Sequence, residues 1–305
     1  MIEERRGRIP ERLAGTRLDL AVSELLGRTR RWARRTIDLG GVYLDGHRVR
    51  TQSHGVLAGA LLQVAWAEPP EPEPAPLPST ALLRRKPGWV AVDKPAGIYC
   101  QAARHRLRGT LPELVARLLG DHHLPEPVHR LDRDTSGVVV LAREPAWTAR
   151  LTELWRTGRA AKAYLAVVQG QPEEAAGRQQ GWLAPDPARP GTMQLVSREG
   201  QPFATRWTRL ASASGRSLLL LEPETGRMHQ LRVGCRALGW PILGDPRYAP
   251  PEIATAAPRL LLHAWRLVLS PPGHEPLPLL APLPADFLRA VREAGLEEGL
   301  SALSR

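Results

Sequence analysis

From Glu68 to Ser79 the chain reads Glu-Pro-Pro-Glu-Pro-Glu-Pro-Ala-Pro-Leu-Pro-Ser, with proline at nearly every second position. Each proline lacks the amide hydrogen that a helix interior or a central strand needs, so no regular element can run through the stretch. Its preferred state is an extended, polyproline-like spacer. This divides the chain into a small domain, 1–67, a spacer, 68–79, and a larger domain, 80–295, with 296–305 expected to be a flexible tail. So stiff a spacer is expected to hold the two domains apart.

In the small domain, residues 1–15 are rich in Arg and Glu and are expected to be a frayed lead-in. Leu18, Ala21, Val22 and Leu25 then repeat at helical spacing, and Gly27 ends the run. Thr29 is placed to cap a second helix over 30–39, which Gly40-Gly41 stops. Val42-Tyr43-Leu44, Asp45-Gly46 and His47-Arg48-Val49 read as strand, tight turn and strand, and Val56 to Trp66 as a further strand pair. Arg28, Arg30, Arg31, Arg34 and Arg35 crowd onto and before the second helix. Asp19, in Arg17-Leu18-Asp19, is expected to be a helix-surface carboxylate.

The formal charge of +11, from 42 basic and 31 acidic residues, points to a polyanionic partner. Lysine occurs only at 86, 94 and 162, so the preference for Arg reflects base composition more than chemistry. Two cysteines, Cys100 and Cys235, are too few and too far apart for a disulfide framework or a cysteine zinc site. The sequence has neither a membrane-length apolar run nor a secretory h-region. A cytoplasmic protein is expected. The two short helices, the basic second helix and the Gly-ended hairpin resemble the S4 RNA-binding module over 16–67. That resemblance implies that the five arginines lie against an RNA backbone.

In the larger domain His129-Arg130-Leu131-Asp132-Arg133-Asp134-Thr135-Ser136-Gly137 runs straight into Val138-Val139-Val140-Leu141-Ala142. A polar turn feeding a β-branched run reads as a loop at the edge of a buried strand, where catalytic groups usually sit. Further elements are a strand at Trp89–Val92, a helix at 110–119, and a helix near 145–157 that buries Leu151, Leu154 and Trp155. A strand follows at 162–168, with Lys162 and Tyr164 on one face. Residues 171–203 show no usable periodicity. Strands at 204–210, 217–221, 260–264 and 266–269 and a closing helix at 285–294 complete an α+β architecture with a largely antiparallel sheet. On residues alone, Tyr164 reads as a core residue of its strand, Arg232 as a strand-edge phosphate contact, and His129 as either a turn-stabilising hydrogen bonder or a substrate contact.

Six pieces in order now stand together: Asp93-Lys94-Pro95-Ala96-Gly97, His129–Gly137, Lys162-Ala163-Tyr164-Leu165-Ala166, Thr225–Val233, Gly239–Asp245 and Leu262-His263-Ala264. Over about 88–285 they resemble the RluA family of RNA pseudouridine synthases. The resemblance implies breakage of the N1–C1′ bond of a uridine, rotation of the base and rejoining through C5, with no cofactor and no metal. It implies Asp132 as the carboxylate that attacks C1′ or takes the C2′ proton, Tyr164 as the stacking and proton-relay residue, and Arg232 as the ion-pair partner of Asp132. His129, Arg130, Arg133, Lys162, Arg227, His229 and Gln230 are the expected substrate contacts. Ribosomal RNA is the first expected partner and transfer RNA the second, for a monomeric enzyme. Two departures stand out: Gly234 where the family commonly has His, and Ile98-Tyr99-Cys100-Gln101 after the Pro-Ala-Gly turn. Two rivals remain, a catalytically silent RNA-binding or RNA-folding protein and a nuclease holding Mg²⁺ between Asp132 and Asp134.

Overall fold

A computed structural model describes residues 2–68 and 72–304. The chain forms two compact units: Met1–Leu77 with Tyr99–Leu124, and Pro78–Ile98 with Pro125–Arg305. The segment 99–124, placed in the larger domain by its sequence position, is therefore compact with the first unit. No helix among the described residues is long and apolar enough to cross a membrane.

The first unit holds an antiparallel sheet in the order β1 (Ile2–Arg8), β4 (Leu61–Ala67), β2 (Val42–Leu44), β3 (His47–Arg48). Helices α1 (Leu18–Leu26) and α2 (Arg30–Asp38) complete its core, where Leu18, Val22, Ala33, Ile37, Val42 and Val64 are fully buried. Helix α1 ends at Gly27 in the left-handed region, and Thr29 accepts the Trp32 amide at 3.2 Å to cap α2. The β2–β3 turn places Asp45 and Gly46 both at positive φ, as a two-residue hairpin requires.

Four expectations change in this unit. The lead-in is not frayed, because β1 pairs with β4 from Ile2↔Ala67 to Arg8↔Leu61. Backbone pairing needs no apolar side chains, and hydropathy could not show it. The strand pair expected over 56–66 is the single strand β4. Asp19 is not at the surface but fully buried. The spacer, of which 69–71 lie outside the described residues, is not a free stalk: Arg106 donates to the Pro72 carbonyl at 2.9 Å and Leu77 is buried. The 99–124 segment carries α3 (Leu111–Leu119), which buries Leu111, Leu114 and Val115. It is joined to the hairpin by Arg48 to Ala103 O at 3.0 Å and Tyr43 to Arg104 O at 3.1 Å.

Among the described residues the second unit has one eleven-stranded sheet. Its main path runs β11 (Met193–Val196), β10 (Ala176–Pro185), β12 (Gln201–Ala213), β13 (Arg216–Pro223), β9 (Ala160–Gln169), β14 (Leu262–Leu269), β8 (Ser136–Ala142), β6 (Trp89–Lys94), β5 (Leu82–Lys86). Short strands β7 (Glu126–Pro127) and β15 (Leu277–Leu280) flank β8 and β14. Every pairing is antiparallel except β14 with β8. All seven residues of β8 are buried, as its β-branched run predicts. Helix α4 (Pro145–Arg156) buries Leu151 and Leu154 against the cluster of Val138 and Val140. Helices α5 (Gln230–Ala237), α6 (Pro251–Ala254) and α7 (Ala285–Glu293) follow.

The stretch without periodicity, 171–203, is the β10–β11 hairpin. Its outer faces stay half-exposed, so no apolar stripe marks it. The two late strands are one, β14, bulged between His263 and Arg266. The tail is not soft: Leu296 is fully buried and helix α8 (Glu298–Ser301) follows it.

Candidate active site

The loop 129–135, the strand β9 and the segment leading into α5 enclose a cleft of about 460 Å³. Helix α5 explains the geometry of its floor. Arg232 stands in the first turn of the helix, buried, and is not at a strand edge. A buried guanidinium must spend its donors on carboxylates or carbonyls. Here Nε and Nη2 form a bidentate pair with Asp245, at 2.9 and 2.7 Å, and Nη1 reaches Asp132 Oδ2 at 3.0 Å. Burial alone would lower the Arg232 pKa, but Asp245 first and Asp132 second outweigh it and raise it. Asp245 is itself buried and also accepts the amides of Arg247, at 2.9 Å, and Tyr248, at 3.2 Å. The result is a chain of three charges, Asp245, Arg232 and Asp132, fixed at the buried end and presenting a half-buried carboxylate to the cleft.

His229 caps α5 with φ of 55°, a left-handed conformation that costs a non-glycine residue on the order of 1–3 kcal/mol. That turn brings Nε2 to 3.8 Å from Asp132 Oδ2 and Nδ1 to 2.6 Å from the Tyr248 hydroxyl. Burial, with help from Arg232 and Arg247, lowers its pKa to about 4 against the pull of Asp132 and Asp245. The ring is therefore neutral near pH 7. The Tyr248 oxygen also accepts the Met193 amide at 2.8 Å.

Tyr164 and Lys162 share one face of β9 and both line the cleft. Lys162 donates to Thr225 O at 3.0 Å, and burial lowers its pKa. Arg130 is exposed at the cleft wall, and Arg227 lines it with Nε on Pro202 O at 3.0 Å.

Three expected contacts have their hydrogen bonds or ion pairs engaged within the protein. Gln230 has its amide committed, donating to Ala204 O at 3.0 Å and Thr205 Oγ1 at 2.9 Å. It accepts from Thr225 Oγ1 and the Arg227 amide, so it braces the loop against β12. His129 lies at the cleft wall, but its Nε2 accepts the Val140 amide at 3.0 Å and its ring stacks on Trp155 at 4.6 Å. Burial lowers its pKa to about 3. Arg133 is outside the lining and pairs with Asp134 at 3.1 Å, so Asp134 faces Arg133 and not a shared site with Asp132.

Asp245, Tyr248 and Lys94 received no role from the sequence. Asp245 closes one of the matching segments, and the need of a buried Arg232 for counter-charge was the available signal. Lys94 is fully buried, donating to Pro95 O, Ile98 O and Arg133 O at 2.9 Å each, while the Gly97 amide also meets Arg133 O at 2.8 Å. It clamps the Pro-Ala-Gly turn to the loop carrying Asp132. At the Gly234 departure, the space beside the backbone is taken by a side chain. Gln179 of β10 lies against it, donating to Gly234 O at 3.3 Å, and a Cβ there would sit 2.5 Å from Gln179 Oε1. The neighbouring Cys235 thiol is buried, which pushes its pKa up to about 12.

In the first unit Asp19 takes Arg34 Nε at 2.7 Å, Arg30 Nε at 3.0 Å and Arg17 Nε at 3.1 Å. Burial by itself would raise the Asp19 pKa. The three guanidiniums outweigh it and hold the carboxyl well below its usual range. Arg28 pairs with Glu68 at 3.3 Å. Of the five arginines expected on RNA, three are thus engaged within the unit, and Arg31 and Arg35 face outward.

Comparison with known proteins converges on one group. A family model described as RNA pseudouridylate synthase matches residues 88–237, and an S4 domain model matches 16–62. An uncharacterized RNA pseudouridine synthase of Chloroflexus aurantiacus is 36% identical over 293 residues, covering 94% of this chain and 89% of that protein. The dual-specificity RNA pseudouridine synthase RluA of Escherichia coli is 37% identical over 199 residues, covering 65% and 90%. The solved structure of human RNA pseudouridylate synthase domain containing 4 superposes with a TM-score of 0.59 at 28% identity, covering 70% of this chain and 93% of that one.

Proposed function

The chain belongs to the RluA family of RNA pseudouridine synthases, with an S4 domain at its N-terminus, and from this we propose that Asp132 reacts at the sugar of an extruded uridine. The observation that carries this is the Asp245–Arg232–Asp132 chain. One arginine, anchored bidentately from below, holds a single carboxylate at the cleft without covering it. Asp132 attacks C1′, or removes the C2′ proton; either route breaks the N1–C1′ bond. The base turns, and C5 bonds to C1′ as the Asp132–C1′ ester bond breaks or, on the other route, as the proton returns to C2′; the C5 proton leaves and N1 ends protonated, so no atom is gained and no redox partner is required. Tyr164 stacks on the extruded base and passes the proton, and Arg130, Lys162 and Arg227 meet its phosphates. Stacking and phosphate contacts offset the few kcal/mol that extrusion costs.

We place the target uridines in ribosomal RNA first and transfer RNA second. The test compares pseudouridine maps of both RNA classes from cells with the chain, without it, and with Asp132→Asn alone. Specific positions should vanish in the last two. A full map retained with Asp132→Asn would remove Asp132 from the chemistry.

A further inference from the structure

Helix α2 sorts its arginines by phase. Arg30 and Arg34, one turn apart, point to Asp19. Arg31 and Arg35, also one turn apart, are exposed and have no carboxylate in ion-pair range among the described residues. They line a second cavity, about 270 Å³, together with Trp32, Trp66, His105 and Arg106. The walls are fixed. Trp32 and Trp66 meet edge to face, 5.4 Å between centroids at 83°, His105 Nε2 is 3.2 Å from the Tyr99 hydroxyl, and Arg106 is anchored on Arg108 O and Pro72 O. Arg28 sits 5.7 Å over the Trp32 ring. Trp66 is only 8% exposed, and its indole N–H has no acceptor among the described residues. A buried indole N–H normally finds a partner.

An aliphatic ligand would leave the cations and the indole N–H unused, and a bare anion would leave the rings unused. A flat heteroaromatic ring with acceptor atoms and a phosphate beside it uses all three. In RNA only an unpaired base has its faces free to enter. We propose that this cavity is a second RNA-reading site, in which an unpaired nucleobase stacks on Trp32, turns an acceptor to the Trp66 indole and rests its flanking phosphates on Arg31 and Arg35. It rests on the RNA reading of the first unit and is separate from the uridine cleft.

The test uses the full chain and fluorescence anisotropy with three labelled RNA hairpins that contain no uridine: fully paired, carrying one bulged adenosine, and carrying an abasic nucleotide at the bulge. The adenosine bulge should bind roughly ten-fold tighter than the other two, the effect of one base–aromatic stack. Trp32→Leu should remove that preference while the fully paired stem still binds. Arg35→Ala, an exposed change that leaves the core intact, should weaken the bulged hairpin and reduce the slope of log affinity against log salt by about 0.7–0.9. Equal binding of all three hairpins by the unaltered chain would overturn the site while leaving the RNA reading intact. Failure to bind any of them would overturn both. Trp32→Leu weakening every hairpin alike, or adenosine monophosphate binding tightly when no bulge preference exists, would also overturn it.

Discussion

Asp132 and Asp245 contact the same guanidinium, yet their replacement by asparagine should have opposite consequences. Asp245 is 1% exposed and accepts four hydrogen bonds, two of them from Arg232. In Asp245→Asn one oxygen remains for Nη2 and the two amides, but an NH₂ faces Arg232 Nε, donor against donor. Breaking a buried pair in this way costs about 3–5 kcal/mol. In a unit of roughly 200 residues, with about 2–4 °C per kcal/mol, the second unit's melting temperature should fall by roughly 6–20 °C. Asp132 is 22% exposed, and in Asp132→Asn the amide oxygen can still accept Nη1 while Asp245 keeps its bidentate pair. Its stability should stay within about 1 kcal/mol of the unaltered chain, although pseudouridine formation is lost. Calorimetry at pH 7 beside a single-turnover assay on an unmodified transcript reads both quantities. If Asp245→Asn melts with the unaltered chain, or Asp132→Asn falls as far, the assignment of anchor and reacting carboxylate is wrong.

Asp19→Asn should destabilise the first unit by about 1.5–3 kcal/mol, because it removes the charge from a buried acceptor shared by three half-exposed guanidiniums. It should also steepen the salt dependence of RNA binding by releasing Arg30 and Arg34, which titration of RNA affinity against salt checks. Lys94→Met removes the clamp on the Arg133 carbonyl, and the resulting shift of Asp132 should lower kcat roughly 10²-fold with KM for RNA little changed in steady-state kinetics. Acid should destabilise the second unit. His129, His229 and His263 titrate near 3, 4 and 4 when folded, so below their unfolded value of about 6.5 the unfolded chain binds more protons and stability falls with pH. Asp93, which burial pushes up to about 6 despite Lys94 and Arg259, works in the opposite sense over the same range. The net is two protons, at most about 2.7 kcal/mol per pH unit near pH 5. Denaturant unfolding at pH 6.5, 5.5 and 4.5 measures it, and a flat profile would contradict the burial of these rings.

The sequence by itself determined what depends on neighbours along the chain. The period-3.6 pattern at 18–25, the Thr29 cap, the Asp45-Gly46 turn and the β-branched run after Gly137 each specify a local conformation, and each forms as read. The ordered motifs likewise marked Asp132, Tyr164 and Arg232, and all three line one cleft. Only the tertiary structure decided what depends on distant partners. The polar strand β1 exists because β4 offers it a backbone edge, and the segment 99–124 folds with the first unit despite its place in the chain. The two Arg-Leu-Asp triplets are alike in sequence, yet Asp132 opens to a cleft and Asp19 is sealed under three arginines. A carboxylate's role follows from how many cations converge on it and how much water remains, and both are set by residues remote in sequence.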